Sequence, residues 1–328
     1  VALQKTDVFG IMRSEMERVE ARVIEAATLD FPFASGLILD IVKAGGKRLR
    51  PLMLMLAGRA YVSDDSNLIT AAAGVELLHT ASLVHDDSVD RAALRRGKPT
   101  LNSRLGTGAV ILVGDFLFAQ SAILAASTGL PRVVQIFATT LGDICDGQLR
   151  EMLEAHQLEQ TRESYEKRIY GKTASLFAGA AEMGGVIGEA PEHHIQALRS
   201  YGSDVGMAFQ IVDDVLDLTQ DSDEIGKPAG NDLRQGTITL PVMAYVNNVG
   251  LQSEQGLLLK GIVEGEITDD AVINELVADI RSSHAIEEAL EAAREFTNRA
   301  KASIEIVPDG STRELLDEVA NLSFQRVS

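Results

Sequence analysis

No tryptophan occurs in the 328 residues, tyrosine and phenylalanine number only 5 and 10, and there is 1 cysteine. The lone Cys145 excludes a disulfide within the chain and suits a reducing compartment. Bases are in deficit: 30 Lys and Arg stand against 48 Asp and Glu, a net charge of −18. That balance argues against a nucleic-acid binder, which presents a basic face. It also makes any basic cluster informative. No apolar run is expected to span a membrane, and the opening VALQKTDVFG has neither the charge nor the apolar core of a signal peptide. Without an initiator methionine, that end is expected to be trimmed. The chain is expected to be soluble and cytoplasmic. P-loop, Gly-x-Ser-x-Gly and zinc-ligand spacings are all missing.

Helical periodicity fills most of the chain. Val8, Met12, Met16, Val19 and Val23 recur at three- and four-residue steps and predict one amphipathic first helix. Further helices are expected at 35–44, 66–93, 107–128, 131–155, 161–187 and 191–220, with shorter ones after 235. Gly45-Gly46, Gly97, Pro99 and Gly129-Leu130-Pro131 punctuate them, and Pro51 fits the first turn of another. The stretch 107–128 is apolar nearly all round, so neighbours must bury it. With no alternating strand pattern and no low-complexity linker, the expected fold class is all-α, as a single domain over residues 1–328.

Two acidic clusters carry the chemistry. In SLVHDDSVD, Asp86 and Asp90 are four apart and share a helix face; in FQIVDDVLD, Asp213 and Asp217 repeat that spacing. Like charges so placed repel by a few tenths of a kcal/mol, at roughly 0.2–0.5 per pair. Both clusters lie among apolar residues (His79, Ala81, Leu83 and Val84; Phe209, Ile211, Val212, Val215 and Leu216), which disfavours a merely solvated helix end. Hard divalent cations offset such repulsion. Mg²⁺ takes carboxylate oxygens and completes its shell with water and substrate phosphates. Asp86, Asp87, Asp90, Asp213, Asp214 and Asp217 are therefore the candidate ligands.

The basic clusters fit the same anion. Gly45-Gly46-Lys47-Arg48-Leu49-Arg50-Pro51 puts bases after two glycines at a helix start, with Lys47 and Arg50 three apart. Arg95-Arg96-Gly97-Lys98 follows the first acidic cluster, either bridging to it or gripping phosphate beside it. Gly171-Lys172-Thr173, Gln210 and Gly226-Lys227-Pro228 are weaker single signals, each more often ordinary surface. His79 lies two turns before Asp86. The adjacent pair His85-Asp86 raises a metal phosphohydrolase, but His79 is too near to be its distant histidine and the second cluster would go unused.

Together these segments resemble the trans-prenyltransferases, the head-to-tail isoprenyl diphosphate synthases. GGKRLRP (45–51), DDSVD (86–90), RRGKPT (95–100), GDFLF (114–118), GKTASLF (171–177), FQIVDDVLD (209–217) and GKPAGNDLRQG (226–236) stand in that family's order, and FQRVS is similar to its end. The resemblance implies an isoprenoid-synthase helical bundle around a central cavity, working as a homodimer with Mg²⁺. It implies that Lys47, Arg50, His79 and Arg96 hold isopentenyl diphosphate. Arg95, Lys172, Thr173, Gln210 and Lys227 would hold the allylic diphosphate. Asp86, Asp90, Asp213, Lys172 and Lys227 would form the catalytic set. Rival readings are a class I terpene cyclase and a non-catalytic synthase subunit; each usually lacks one of the two aspartate motifs.

Product length is read from the helix before Asp86. Leu78, Ala81 and Ser82 would line the growing tail, and Ala81 and Ser82 are small where short-chain family members tend to place bulk. Phe137 is the expected floor. Each buried CH₂ contributes about 0.8 kcal/mol, so growth continues until a side chain blocks it. A medium-to-long product, longer than geranylgeranyl, is expected; a geranylgeranyl or farnesyl synthase is the alternative. Asp86→Ala or Asp213→Ala is expected to lower turnover by orders of magnitude with the circular dichroism spectrum unchanged. Near-normal condensation rates in either variant would contradict this assignment.

Overall fold

Short polar residues, glycines and prolines set where the helices begin and end. The computed structural model of the chain describes residues 7–44, 46–89, 94–95, 98–220, 229–308 and 310–325. Helix α1 (Val8–Ile11) is capped by Asp7, whose side chain accepts from the Gly10 N–H. Met12, at φ −93° and ψ 8°, separates it from α2 (Arg13–Ala26). The one first helix expected from periodicity is thus two, with Gly10 weakening the junction. Helix α3 (Pro32–Val42) opens on proline, and α4 (Leu49–Arg59) carries Pro51 in its first turn. Then come α5 (Ser66–Val89), a minimal antiparallel ladder of β1 (Leu94–Arg95) with β2 (Lys98–Pro99), α6 (Asn102–Leu105), α7 (Thr107–Ser127) and α8 (Pro131–Glu154).

The expected helix 161–187 is three pieces: α9 (Arg162–Ile169), a π-helical turn (Tyr170–Ala174) and α10 (Ser175–Ile187). Thr161 caps α9 by accepting from the Ser164 N–H at 3.1 Å. Helix α11 (Glu192–Thr219) follows, then α12 (Asn231–Arg234), α13 (Leu240–Val249), α14 (Glu254–Val263), α15 (Asp270–Ser282), α16 (Ala285–Ser303), a 3₁₀ turn (Ile304–Ile306) and α17 (Ser311–Phe324). Ser253 and Asp269 cap α14 and α15. The fold is all-α apart from the short ladder, among the described residues.

By its internal contacts the chain divides into two compact units. The first comprises Val1–Leu141, Leu176–Gly202 and Lys301–Val319. Its core is α5, which packs on α2, α4 and α7 through Leu68, Ala72, Val75, Leu77, Leu78 and Ala81, all buried. Gly74 lets α7 approach: a Cβ there would lie 3.2 Å from the Ser121 carbonyl oxygen. The second unit comprises Gly142–Ser175, Ser203–Ala300 and Ala320–Ser328. One apolar cluster there joins Leu218, Leu233, Tyr245, Leu259, Ile262 and Ile280. Another joins Tyr165, Ile169, Ile211, Val212, Val215 and Phe296.

Two expectations about apolar helices need correction. Helices α5 and α7 are each long and apolar enough to cross a membrane by length and composition. The first is mostly buried, as a core helix is, whereas 33% of the most apolar stretch of α7 is buried. Helix α7 is also not covered all round by its own chain: Ile111, Leu112 and Ile123 stay 45%, 69% and 54% exposed.

Candidate active site

In the first unit the basic loop is built around Arg48, not its neighbours. Arg48 sits in the left-handed region at φ 50° immediately before α4. Its guanidinium turns inward, pairing with Glu76, donating to the Val42 carbonyl at 2.6 Å and lying 3.5 Å from Glu20. This anchor leaves Lys47 exposed and Arg50 half-buried. Arg50 lies 4.3 Å over the Phe177 ring, with Nη1 3.3 Å from His79 Nε2. Two residues expected to share isopentenyl diphosphate are therefore neighbours. Phe177, not anticipated, supplies the face on which the guanidinium stacks.

At the end of α5, Asp86 is half-buried and Asp87 is buried at 9% exposure. The preceding His85 is turned into α7. Its Nε2 is 3.1 Å from the Ile111 carbonyl oxygen and 3.6 Å from Asp115, and its ring meets Phe118 edge-on at 5.1 Å. A Cβ at Gly114 would fall 2.1 Å from that nitrogen, so the glycine of GDFLF serves this packing. Leu78 and Ala81 are fully buried; Ser82 is half-buried and donates to the His79 carbonyl at 2.8 Å. Phe137 is buried on α8. Asp90, Arg96 and the Arg95 side chain lie outside the described residues.

In the second unit the π turn carries Lys172 and Thr173. Gly171 and Gly147 make the turn fit against α8: a Cβ on Gly147 would lie 2.2 Å from the Lys172 nitrogen. A Cβ on Gly171 would lie 2.7 Å from the Asp143 carbonyl oxygen. The Ser175 hydroxyl caps the widened turn by donating to the Gly171 carbonyl at 2.6 Å. Such turns inside α-helices are frequent at functional sites. Lys172 pairs with Glu151 on α8. Thr173 donates to Gln210 Oε1 at 2.7 Å, and Gln210 Nε2 donates to Asp214 Oδ1 at 2.8 Å.

The two adjacent aspartates of this motif differ. Asp213 and Asp217 are half-buried, whereas Asp214 is 3% exposed and accepts from the Tyr165 hydroxyl at 2.6 Å. Burial pushes the Asp214 carboxyl up to about 7, against the lowering effect of Tyr165 and Gln210. Asp217 Oδ2 accepts from the Asp232 N–H at 3.1 Å, and its carbonyl accepts from the Gly230 N–H at 2.8 Å. Desolvation, then the charges of Asp217, Asp214 and Glu151, drive the Asp232 carboxyl well above its usual range, with Lys172 opposing. Four carboxyl groups thus share this neighbourhood with Lys172 as the opposing base. Lys227 lies outside the described residues. Tyr165 and Glu151 carried no sequence signal of their own beyond their residue type; Asp232 lies in the GKPAGNDLRQG segment, but nothing local there marks it out.

The polyprenyl synthetase family model matches residues 33–280. The chain belongs to that family. The chain is 34% identical to the octaprenyl diphosphate synthase of Haemophilus influenzae over 95% of its own length and 94% of the relative's. It is similar to the crystal structure of a decaprenyl diphosphate synthase from Rhodobacter capsulatus, with TM-score 0.90, 36% identity and 98% of each chain covered. The polyprenyl synthase of Caulobacter crescentus matches with TM-score 0.92 and 32% identity over 99% of this chain and 100% of that one. That structure is complexed with calcium and isoprenyl diphosphate. This family member is a prenyltransferase, a head-to-tail polyprenyl diphosphate synthase.

The Asp214 carboxyl sets a pH dependence. The folded chain keeps its proton up to about pH 7, whereas the unfolded chain releases it near the ordinary value of 3.8. The stability so held is full below that lower value and is lost as pH rises through the upper one, at about 1.4 kcal/mol per pH unit. Urea unfolding in chelator is expected to show a decline across that window that is shallower in Asp214→Asn than in the wild type, the remainder coming from other raised carboxyls such as Asp232. Equal slopes in the two proteins would refute it.

Proposed function

We propose that this synthase extends an allylic diphosphate with isopentenyl diphosphate, using Mg²⁺, to a product longer than geranylgeranyl. Family membership over residues 33–280 with both aspartate-rich motifs intact carries this reading. A cyclase or a silent subunit usually lacks one of them. Residues 1–328 are read as one catalytic domain, supported by relatives covered along nearly their whole length.

In this reading Asp86, Asp90, Asp213 and Asp217 supply the carboxylate oxygens for Mg²⁺. The donor set fits the metal. Among the described residues no three His, Cys, Asp or Glu side chains gather to hold an ion, and Mg²⁺ typically takes one or two carboxylates and fills its shell from water and phosphate. When bound, the metal neutralises charge on the leaving diphosphate. Arg95, Lys172 and Lys227 grip that diphosphate beside Thr173 and Gln210, whose side chains bond to each other, while Lys47, Arg50, His79 and Arg96 hold isopentenyl diphosphate. The allylic C–O bond breaks and its electron pair leaves with the diphosphate. The isopentenyl double bond attacks the resulting carbocation, forming the new C–C bond, and the adjacent proton passes to the departed pyrophosphate. No protein nucleophile takes part.

The small, fully buried Ala81 and the half-buried Ser82 support a long product, as do the octaprenyl and decaprenyl synthases among the relatives. The exposed apolar face of α7 supports a homodimer, since a second copy would cover Ile111, Leu112 and Ile123. The single Cys145 is in keeping with a cytoplasmic protein.

Purified protein given Mg²⁺, farnesyl diphosphate and labelled isopentenyl diphosphate is expected to yield linear products beyond geranylgeranyl on chromatography. Cyclised product or silence would reject the reading. Ala81→Phe is expected to shorten the product with the helical spectrum retained; an unchanged distribution would reject the tail assignment.

A further inference from the structure

Tyr165 belongs to none of the motifs above, yet it is fully buried at a junction of three elements. From α9 its hydroxyl donates to Asp214 Oδ2 at 2.6 Å. On α11, Asp214 Oδ1 accepts from Gln210 Nε2 at 2.8 Å. From the π turn, Thr173 donates to Gln210 Oε1 at 2.7 Å. Both oxygens of Asp214 and both ends of the Gln210 amide are thereby engaged. The Tyr165 ring is itself held. The guanidinium of Arg168, 2% exposed, lies 5.5 Å from the ring centroid. Arg168 is fixed in turn by Gln160 at 2.8 Å and by the Ile238 carbonyl.

An enclosed polar chain of this kind permits few arrangements, because each unmade bond leaves a buried group unsatisfied. Successive helical residues point about 100° apart. Locking Asp214 inward adds a polar constraint to the apolar packing of Ile211, Val212 and Val215 that holds the rotation of α11, and with it narrows the direction in which Asp213 emerges. The same chain sets the Thr173 hydroxyl on the π turn.

We infer that Tyr165 is a positioning residue which, through Asp214 and Gln210, orients Asp213 and Thr173 toward the metal–diphosphate group. This rests on the proposed function, and it assigns Asp214 to support and not to metal ligation. Tyr165 touches no substrate. Its effect is felt in the affinity for metal and diphosphate together and in kcat, while isopentenyl diphosphate is bound elsewhere.

The test uses the full-length protein and reads binding apart from turnover. Calorimetric titration of inorganic pyrophosphate in the presence of Mg²⁺ is expected to weaken about tenfold in Tyr165→Phe, the scale seen when supporting partners of metal ligands are removed. Gln210→Leu, which cuts the chain from the other side, is expected to do the same. In an Asp214→Asn background, Tyr165→Phe is expected to add little further loss, since it acts through that carboxyl. Steady-state kinetics are expected to show lower kcat with the KM for isopentenyl diphosphate unchanged. Wild-type pyrophosphate affinity in both single variants, fully additive losses, or a lowered melting temperature with unchanged binding would each overturn the inference. A wild-type protein that fails to elongate farnesyl diphosphate would sink the proposed function instead, leaving the pyrophosphate titration to decide the role of Tyr165.

Discussion

Carboxylates held close together against their mutual repulsion are the constraint to which the second unit answers. Glu151, Asp214, Asp217 and Asp232 act on one another's charge, with Lys172 as the basic group opposing them. The protein relieves this in three ways. Burial keeps Asp214 protonated toward neutral pH, hydrogen bonds from Tyr165 and backbone N–H groups share the charge, and Lys172 pairs with Glu151. All three devices come from the chain itself.

The basic groups answer a different problem in the first unit. Arg50 spreads its charge over Phe177 and approaches His79, so a half-buried guanidinium is held against an aromatic face and an imidazole. A planar fork fixed in this way offers two parallel donors to an anion. Family membership and the geometry have separate starting points. One is sequence order across the chain, and the other is how single side chains are supported.

Helix identity was legible because Pro51 and Gly129-Leu130-Pro131 mark ends that local chemistry enforces, although α3 starts at Pro32 and not at the expected 35. The break at Met12 was not, since an apolar stripe continues through it and both halves bury that stripe. The π turn left no trace either: it adds a residue to one turn, and YGKTASLF reads as ordinary helix. The aspartate motifs were legible as a pair of four-residue spacings. Their inner difference was hidden, because Asp213 and Asp214 are identical residues side by side and only tertiary packing makes one a hub. Tyr165 meets Asp214 across 49 residues of sequence, a pairing that no local pattern encodes. For α7, composition marks an apolar face, but composition does not say whether the same chain covers it, and here Ile111, Leu112 and Ile123 stay exposed.

Arg48 has a consequence for the start of α4. A side-chain-bearing residue in the left-handed region carries a conformational penalty of roughly 1–2 kcal/mol. Here it is offset by the inward grip on Glu76 and the Val42 carbonyl, both supplied by the protein and not by substrate. The Arg48 backbone is therefore set during folding. Any ligand that met this residue would find it already ordered and would spend little binding energy on freezing it.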